Sequence, residues 1–254
     1  MIIRTRFQLF VVGVAFCVLA GCKSGSQTQA GWSYSGDTGP MHWAELSSDY
    51  ALASTGKSQS PIDITTTATA TGGGNVMIAG NATIENIVNN GHSIQANVAA
   101  GGTLKTPTGD YMLKQFHFHS PSEHTYDRKH AAMEMHMVHA DESGNLAVVG
   151  VMIQEGAENP FFARIWPSIP ATKGGKTPVT GMAFGPADLL PTSRATYRYS
   201  GSLTTPPCSE NVDWTMMQSP ITASAAQIGT FRNVMYHNNR PTQPLNGRTI
   251  KTGN

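Results

Sequence analysis

The chain has 254 residues and a hydrophobic fraction of 39%, enough for a sizeable core, which excludes a disordered or fibrous protein. Lysine and arginine number 17 against 16 aspartates and glutamates, so a nucleic-acid partner has no electrostatic support.

The first feature in chain order is an address. Arg4 and Arg6 precede an uncharged run of 14 residues, Phe7 to Ala20, short of the ~20 that a spanning helix needs. A basic start, a short apolar run and small residues at its end make a secretory signal. Leu19-Ala20-Gly21-Cys22 resembles the lipobox of bacterial lipoproteins, which implies cleavage before Cys22 and lipidation of its sulfur. An ordinary signal with a chance cysteine at its end is the alternative. Residues 1–21 are thus expected to be the signal, and 22–30 the lipidated cysteine with a polar, flexible Gly/Ser/Gln tether. Loss of Arg4 and Arg6 leaves 15 basic residues against 16 acidic ones. The expected location is the cell envelope, facing the periplasm, with membrane contact only through a lipid at Cys22. Lys23, a residue other than Asp after the cysteine, favours the outer membrane.

Residues 31–254 show no linker, repeat or charge block and read as one domain. Alternating or β-branched runs bounded by turn residues predict strands over 83–88, 92–98, 111–119, 133–139, 147–153, 196–199 and 212–217. Helix signals are few: Asn159-Pro160 as cap and first position before 161–166, and Ser224 with Gln227 as a capping box before 228–234. The predicted fold class is mainly β (α+β): a large, mostly antiparallel twisted central sheet with short peripheral helices.

Two strands carry the chemistry. In Gln115-Phe-His-Phe-His119, period two puts His117 and His119 on one face. Met133 to Val138 alternates again, with Glu134, His136 and Val138 opposite Met133, Met135 and Met137. A neighbouring strand can bring His136 to the first pair. Three imidazoles with an open fourth position make a catalytic zinc site, since structural sites close all four positions with protein ligands. Two blander readings compete. A His-x-His pair also suits the polar face of a half-exposed strand, and residues 131–140 could be helical, with His136 and His139 on one face, although strict alternation opposes that. The three methionines read as core filler.

QFHFHSPSEHT followed by AAMEMHMVH resembles the zinc site of the alpha-class carbonic anhydrases, especially bacterial ones. Tyr34-Ser-Gly, His42-Trp43, Gln59-Ser-Pro-Ile-Asp63, Asn89-Asn-Gly-His92, Ser200 to Pro207 and Arg240-Pro-Thr-Gln-Pro-Leu245 stand in the family's order. The resemblance implies reversible hydration of carbon dioxide to bicarbonate and a proton by zinc-bound hydroxide. Water on such a zinc is known in this enzyme class to have a pKa of about 7. His117, His119 and His136 are implied as zinc ligands, with Gln115 and Glu134 bracing two of them from behind. Thr204 is implied to orient the hydroxide and Glu123 to receive the Thr204 proton. Thr205 is implied to hold bicarbonate, and Val138, Val148, Leu203, Val212 and Trp214 to form the wall for carbon dioxide.

His92 matches the proton shuttle, with Tyr34, Asn90 and Gln95 ordering the connecting waters; the family usually has asparagine where this chain has Gln95. His124 and His139 are expected to make buried structural hydrogen bonds, and His42, His130 and His237 carry no functional expectation. Bacterial members usually bridge the cysteine after Thr-Thr-Pro-Pro to one early in the chain, but here Cys208 faces Ala53 at that position. A buried, unpaired Cys208 is expected, with a disulfide between two copies, and so a homodimer, as the alternative. The competing function is a non-catalytic binding or adhesion module, whose members typically lack a zinc ligand.

Overall fold

The computed structural model describes residues 31–254; the expected signal, Cys22 and the expected tether lie outside the described residues. The elements in chain order are α1 (Trp43–Leu46), α2 (Leu52–Thr55), β1 (Asp63–Ile64), β2 (Met77–Asn89), β3 (Ile94–Thr106), β4 (Gly109–His119) and β5 (Thr125–Tyr126). They continue with β6 (Met133–Ala140), β7 (Leu146–Glu155), α3 (Pro160–Ile165), β8 (Lys176–Phe184), α4 (Pro186–Leu189), β9 (Thr196–Ser202), β10 (Glu210–Met217), β11 (Ile221–Ala223), α5 (Ala225–Val234) and β12 (Lys251–Gly253). Ten strands form one mixed sheet in the order β12-β9-β10-β7-β6-β4-β3-β2-β8, with β11 beside β7, and β1 pairs β5 apart from it. Only the pairs β10–β7 and β11–β7 are parallel in that sheet, so it is mostly antiparallel. No helix among the described residues is long and apolar enough to cross a membrane.

Alternation along the central strands separates two packed faces. Phe116, Phe118, Met133, Met135 and Met137 enter one large core with Val149, Val151 and the aromatic residues of α3 and α5. The opposite face carries a smaller cluster of Val148, Met152, Tyr199, Trp214, Met216, Ile62 and Ile64. Burying a Phe, Met or Val side chain stabilises by ~1.5–3 kcal/mol, so the sheet is held from both sides. The short helices start where their caps dictate. Asn159 Oδ1 accepts from the amides of Phe161 and Phe162 ahead of Pro160-led α3, and Ser224 and Gln227 cap α5 reciprocally.

Strand β8 is absent from the predicted set because Pro178 and Gly181 interrupt its sequence. It lies at the sheet's edge against β2, where a missing N–H costs no ladder bond on its outer side. Strands β2 and β3 run longer than their β-branched centres, carried past Gly80, Gly101 and Gly102 by register shifts at positive φ.

Candidate metal centre

Register brings the histidines together. Antiparallel pairing of β4 with β6 sets His117 opposite His136 and His119 opposite Glu134. One ring nitrogen from each of His117, His119 and His136 lies within 4.8 Å of the others. The remaining nitrogens each donate to an oxygen behind the ring: His117 Nδ1 to Gln115 Oε1 at 2.8 Å, His119 Nδ1 to the Asn238 carbonyl at 2.7 Å, and His136 Nε2 to Glu134 Oε1 at 2.7 Å. These acceptors fix the tautomers, leaving Nε2, Nε2 and Nδ1 with lone pairs facing inward. His119 Nε2 is buried without a hydrogen-bond partner among the described residues. An unsatisfied buried group costs ~1–3 kcal/mol, and a cation at this point would satisfy it.

Glu134 is a wholly buried carboxylate saturated by four donors. Oε2 accepts from the amides of Glu123 and His124 at 2.8 Å, and Oε1 from His124 Nδ1 and His136 Nε2 at 2.7 Å. Burial alone would raise its pKa, but the two imidazoles outweigh burial and hold it well below the usual carboxylate range. Burial likewise lowers His117 and His119, with neighbouring histidines adding to the effect, so both favour the neutral, metal-binding form. Burial also opposes charge on His136, yet Glu134 raises its pKa on balance. His124, Glu134 and His136 also cluster, but Glu134 Oε1 takes a ring N–H from each histidine and so makes a brace rather than a ligand set. The brace continues: His124 Nε2 accepts from Tyr199 at 2.6 Å, and Tyr199 meets Ser60 Oγ at 2.8 Å.

A cavity of about 180 Å³ opens above the three rings. Its apolar lining is Val138, Val148, Leu203 and Trp214, and its polar lining includes Tyr34, Asn90, Gln95, Thr204 and Thr205. Val212, expected in the wall, shares Trp214's side of β10 and is 2% exposed, packed with Val148 and Trp214 but not itself among the residues that line the cavity. Trp32 and Ser93 line the cavity and were not anticipated. An aromatic residue directly after a polar tether was the available signal for Trp32.

His92 sits half-buried in the lining, its ring stacked on Trp32 at 3.7 Å and 12°. Burial first, then the Lys173 ammonium, lowers its pKa. Asn90 is placed as a turn former, its Oδ1 accepting from the amides of His92 at 2.8 Å and Ser93 at 2.7 Å. Gln95 donates to Asn97 at 2.7 Å, and the buried Tyr34 hydroxyl has no partner among the described residues. Glu123 Oε1 accepts from the Arg240 amide at 2.8 Å. The expected contact with Thr204 is not made: Oε2 has no hydrogen-bond partner among the described residues and is turned toward the imidazoles, 3.5 Å from His119 Nε2.

Residues 38–254 match the model of the family described as eukaryotic-type carbonic anhydrase. The chain is 46% identical over 239 residues to a carbonic anhydrase of Pectobacterium carotovorum, with 92% of this chain and 96% of the relative covered. It is 38% identical to one of Neisseria gonorrhoeae, with 97% of each covered. Among solved structures it superposes on the alpha-carbonic anhydrase of Thermovibrio ammonificans, in complex with the inhibitor sulfanilamide, with a TM-score of 0.82 at 43% identity, covering 87% of this chain and 99% of that one. The chain belongs to the alpha-carbonic anhydrase family. The matched carbonic anhydrase region contains all three histidines of the centre, while Tyr34 and Trp32 precede it. Within this carbonic anhydrase fold His139 donates to the Met137 carbonyl at 3.0 Å, on the core side of β6 away from the cavity. His42 makes an exposed 3.1 Å pair with Glu45, a contact of little energetic weight. Cys208 is a free, fully buried thiol whose pKa burial pushes up to about 11.

Proposed function

We propose that the chain hydrates carbon dioxide reversibly to bicarbonate and a proton, with one zinc ion held by His117 Nε2, His119 Nε2 and His136 Nδ1. The observation that carries this reading is the convergence of three inward lone pairs at the floor of a cavity, each ring braced from behind. A borderline-soft divalent ion with three nitrogen ligands and an open position fits that donor set. When bound, zinc supplies a nucleophilic oxygen at neutral pH by acidifying a coordinated water.

The chain's own residues do the rest. Val138, Val148, Leu203 and Trp214 offer carbon dioxide an apolar seat and keep bulk water from competing for it. The Thr204 hydroxyl, 5% exposed in the same cavity, accepts a hydrogen bond from the attacking oxygen and aims its lone pair, and Thr205, which also lines the cavity, holds the product anion. His92 takes the released proton and passes it to buffer. Its lowered pKa makes it a poorer store and a readier donor. A binding or adhesion module would have no use for so complete a donor set.

The test is a carbon dioxide hydration assay on the purified chain. Activity abolished by chelation and restored by stoichiometric zinc is expected, and metal-independent or absent turnover would overturn the reading. His92→Ala should slow turnover by about tenfold or more in weak buffer, recoverable with imidazole. The same proposal places the protein in the cell envelope, anchored by lipid at Cys22. Radiolabelled fatty acid should enter the wild type and not Cys22→Ser.

A further inference from the structure

The turn that carries His92 is not held by its own residues alone. Ser93 Oγ donates to the Phe118 carbonyl at 2.6 Å and accepts from the Phe118 amide at 3.2 Å. Asn238 Nδ2 donates to the same Phe118 carbonyl at 2.9 Å and to the His92 carbonyl at 3.1 Å, while Oδ1 accepts from the Ser120 amide at 2.8 Å. Ser93 and Asn238 are 5% and 1% exposed, so water does not compete for these bonds. Phe118 lies between His117 and His119 in β4, and its ring is locked among Phe162, Trp166 and Phe231 on the sheet's other face. One peptide group between two ligand histidines is therefore tied by two side chains to the turn that bears His92.

We propose that Ser93 and the Asn238 side chain are positioning residues for proton export, a brace that fixes the separation and aim of His92 relative to the metal centre. This rests on the shuttle reading of His92 above. The Asn238 carbonyl belongs to the centre itself, through His119; the side chain is the separate device. A proton path through ordered water tolerates little change in span, because each link must stay within hydrogen-bond reach. A turn held only by Asn90 would be free to swing and to open more often. The brace removes that freedom.

Two variants separate positioning from general support. Ser93→Ala removes one tie with a minimal change of volume. Asn238→Asp keeps the acceptor for the Ser120 amide but sets oxygen lone pairs against the two carbonyls. In the zinc-loaded full chain, Ser93→Ala should lower kcat in weak buffer by about threefold to tenfold while kcat/KM stays within about twofold, and Asn238→Asp should lower kcat at least as far. Imidazole should restore kcat. In the metal-free chain, the amides of His92 and Ser93 should exchange with solvent at least about tenfold faster than in the wild type, with global melting little changed in Ser93→Ala. A parallel fall of kcat and kcat/KM in Ser93→Ala, an unaltered kcat in either variant, or unaltered exchange at both amides would overturn the brace. If the wild-type chain itself hydrates no carbon dioxide, the functional reading falls, and the exchange measurement still decides whether the brace exists.

Discussion

Glu134 shows how much a single buried side chain can carry. A carboxylate with no exposure is expensive to desolvate, and here four donors offset that cost while one of them, His136, is thereby aimed at the centre. Glu134→Gln keeps the shape but supplies two N–H groups where lone pairs are required, leaving at least one buried donor facing another. Zinc affinity should drop by about 10- to 100-fold, and the metal-free fold should lose about 3–5 kcal/mol. Competition with a metal indicator and urea unfolding measure the two effects separately. The placement of Glu134 on the face of His136 was legible from the alternation of β6, whereas its bracing role came only from the family resemblance. The role of the Asn238 carbonyl was not, because a main-chain acceptor leaves no side-chain signature and Asn238 is 119 residues from His119 in the chain. Cys208 illustrates the opposite case. Its expected partner position, Ala53, gives its carbonyl to Arg240 at 3.1 Å, and the thiol itself is fully buried.

At the scale of elements, the strands of the site are the parts of the sequence with the plainest period. The pattern of 111–119 and 133–139 survives as β4 and β6 because both faces are used, one by phenylalanine and methionine, the other by imidazole and carboxylate. Edge strand β8 and the two-residue strands β1 and β5 were not legible, since proline, glycine and brevity erase a period that only the neighbouring strand supplies. Strand β7 adds a constraint invisible in the alternation. Gly150 pairs with His136, and a Cβ there would collide with Met216 and come within 3.4 Å of Glu134 Oε1. Met216 is fully buried, so its thioether can yield only by repacking against its neighbours. Gly150→Ala should therefore destabilise by about 1–3 kcal/mol through overpacking. It should also weaken zinc binding, but less than Glu134→Gln does, because the carboxylate is pushed rather than replaced. Thermal unfolding and zinc competition on the same preparation check that order.

The whole molecule is a sheet with a dry core on one side and a braced polar centre on the other, so its stability responds to pH through groups held neutral inside. His139 is the clearest of these. It lies on the core side of β6, and burial lowers its pKa to about 4, outweighing hydrogen bonds to the main chain of Met137 and Ala147 that act in the other direction. The unfolded chain takes up a proton there near pH 6.5, whereas the folded chain resists until about pH 4. Between those values the unfolded state binds more protons, so stability rises with pH across that window. The contribution is whole above pH 6.5 and is lost progressively as pH falls toward 4, amounting to roughly 3 kcal/mol at 1.36 kcal/mol per unit. His139→Gln keeps an amide donor for the Met137 carbonyl and has no proton to gain. Urea unfolding of the zinc-loaded protein from pH 7 to pH 4.5 should therefore give a plot of stability against pH that is shallower for the variant by up to one bound proton. Equal slopes would mean that His139 titrates alike in both states, and the acid sensitivity would then belong to the braced side of the sheet.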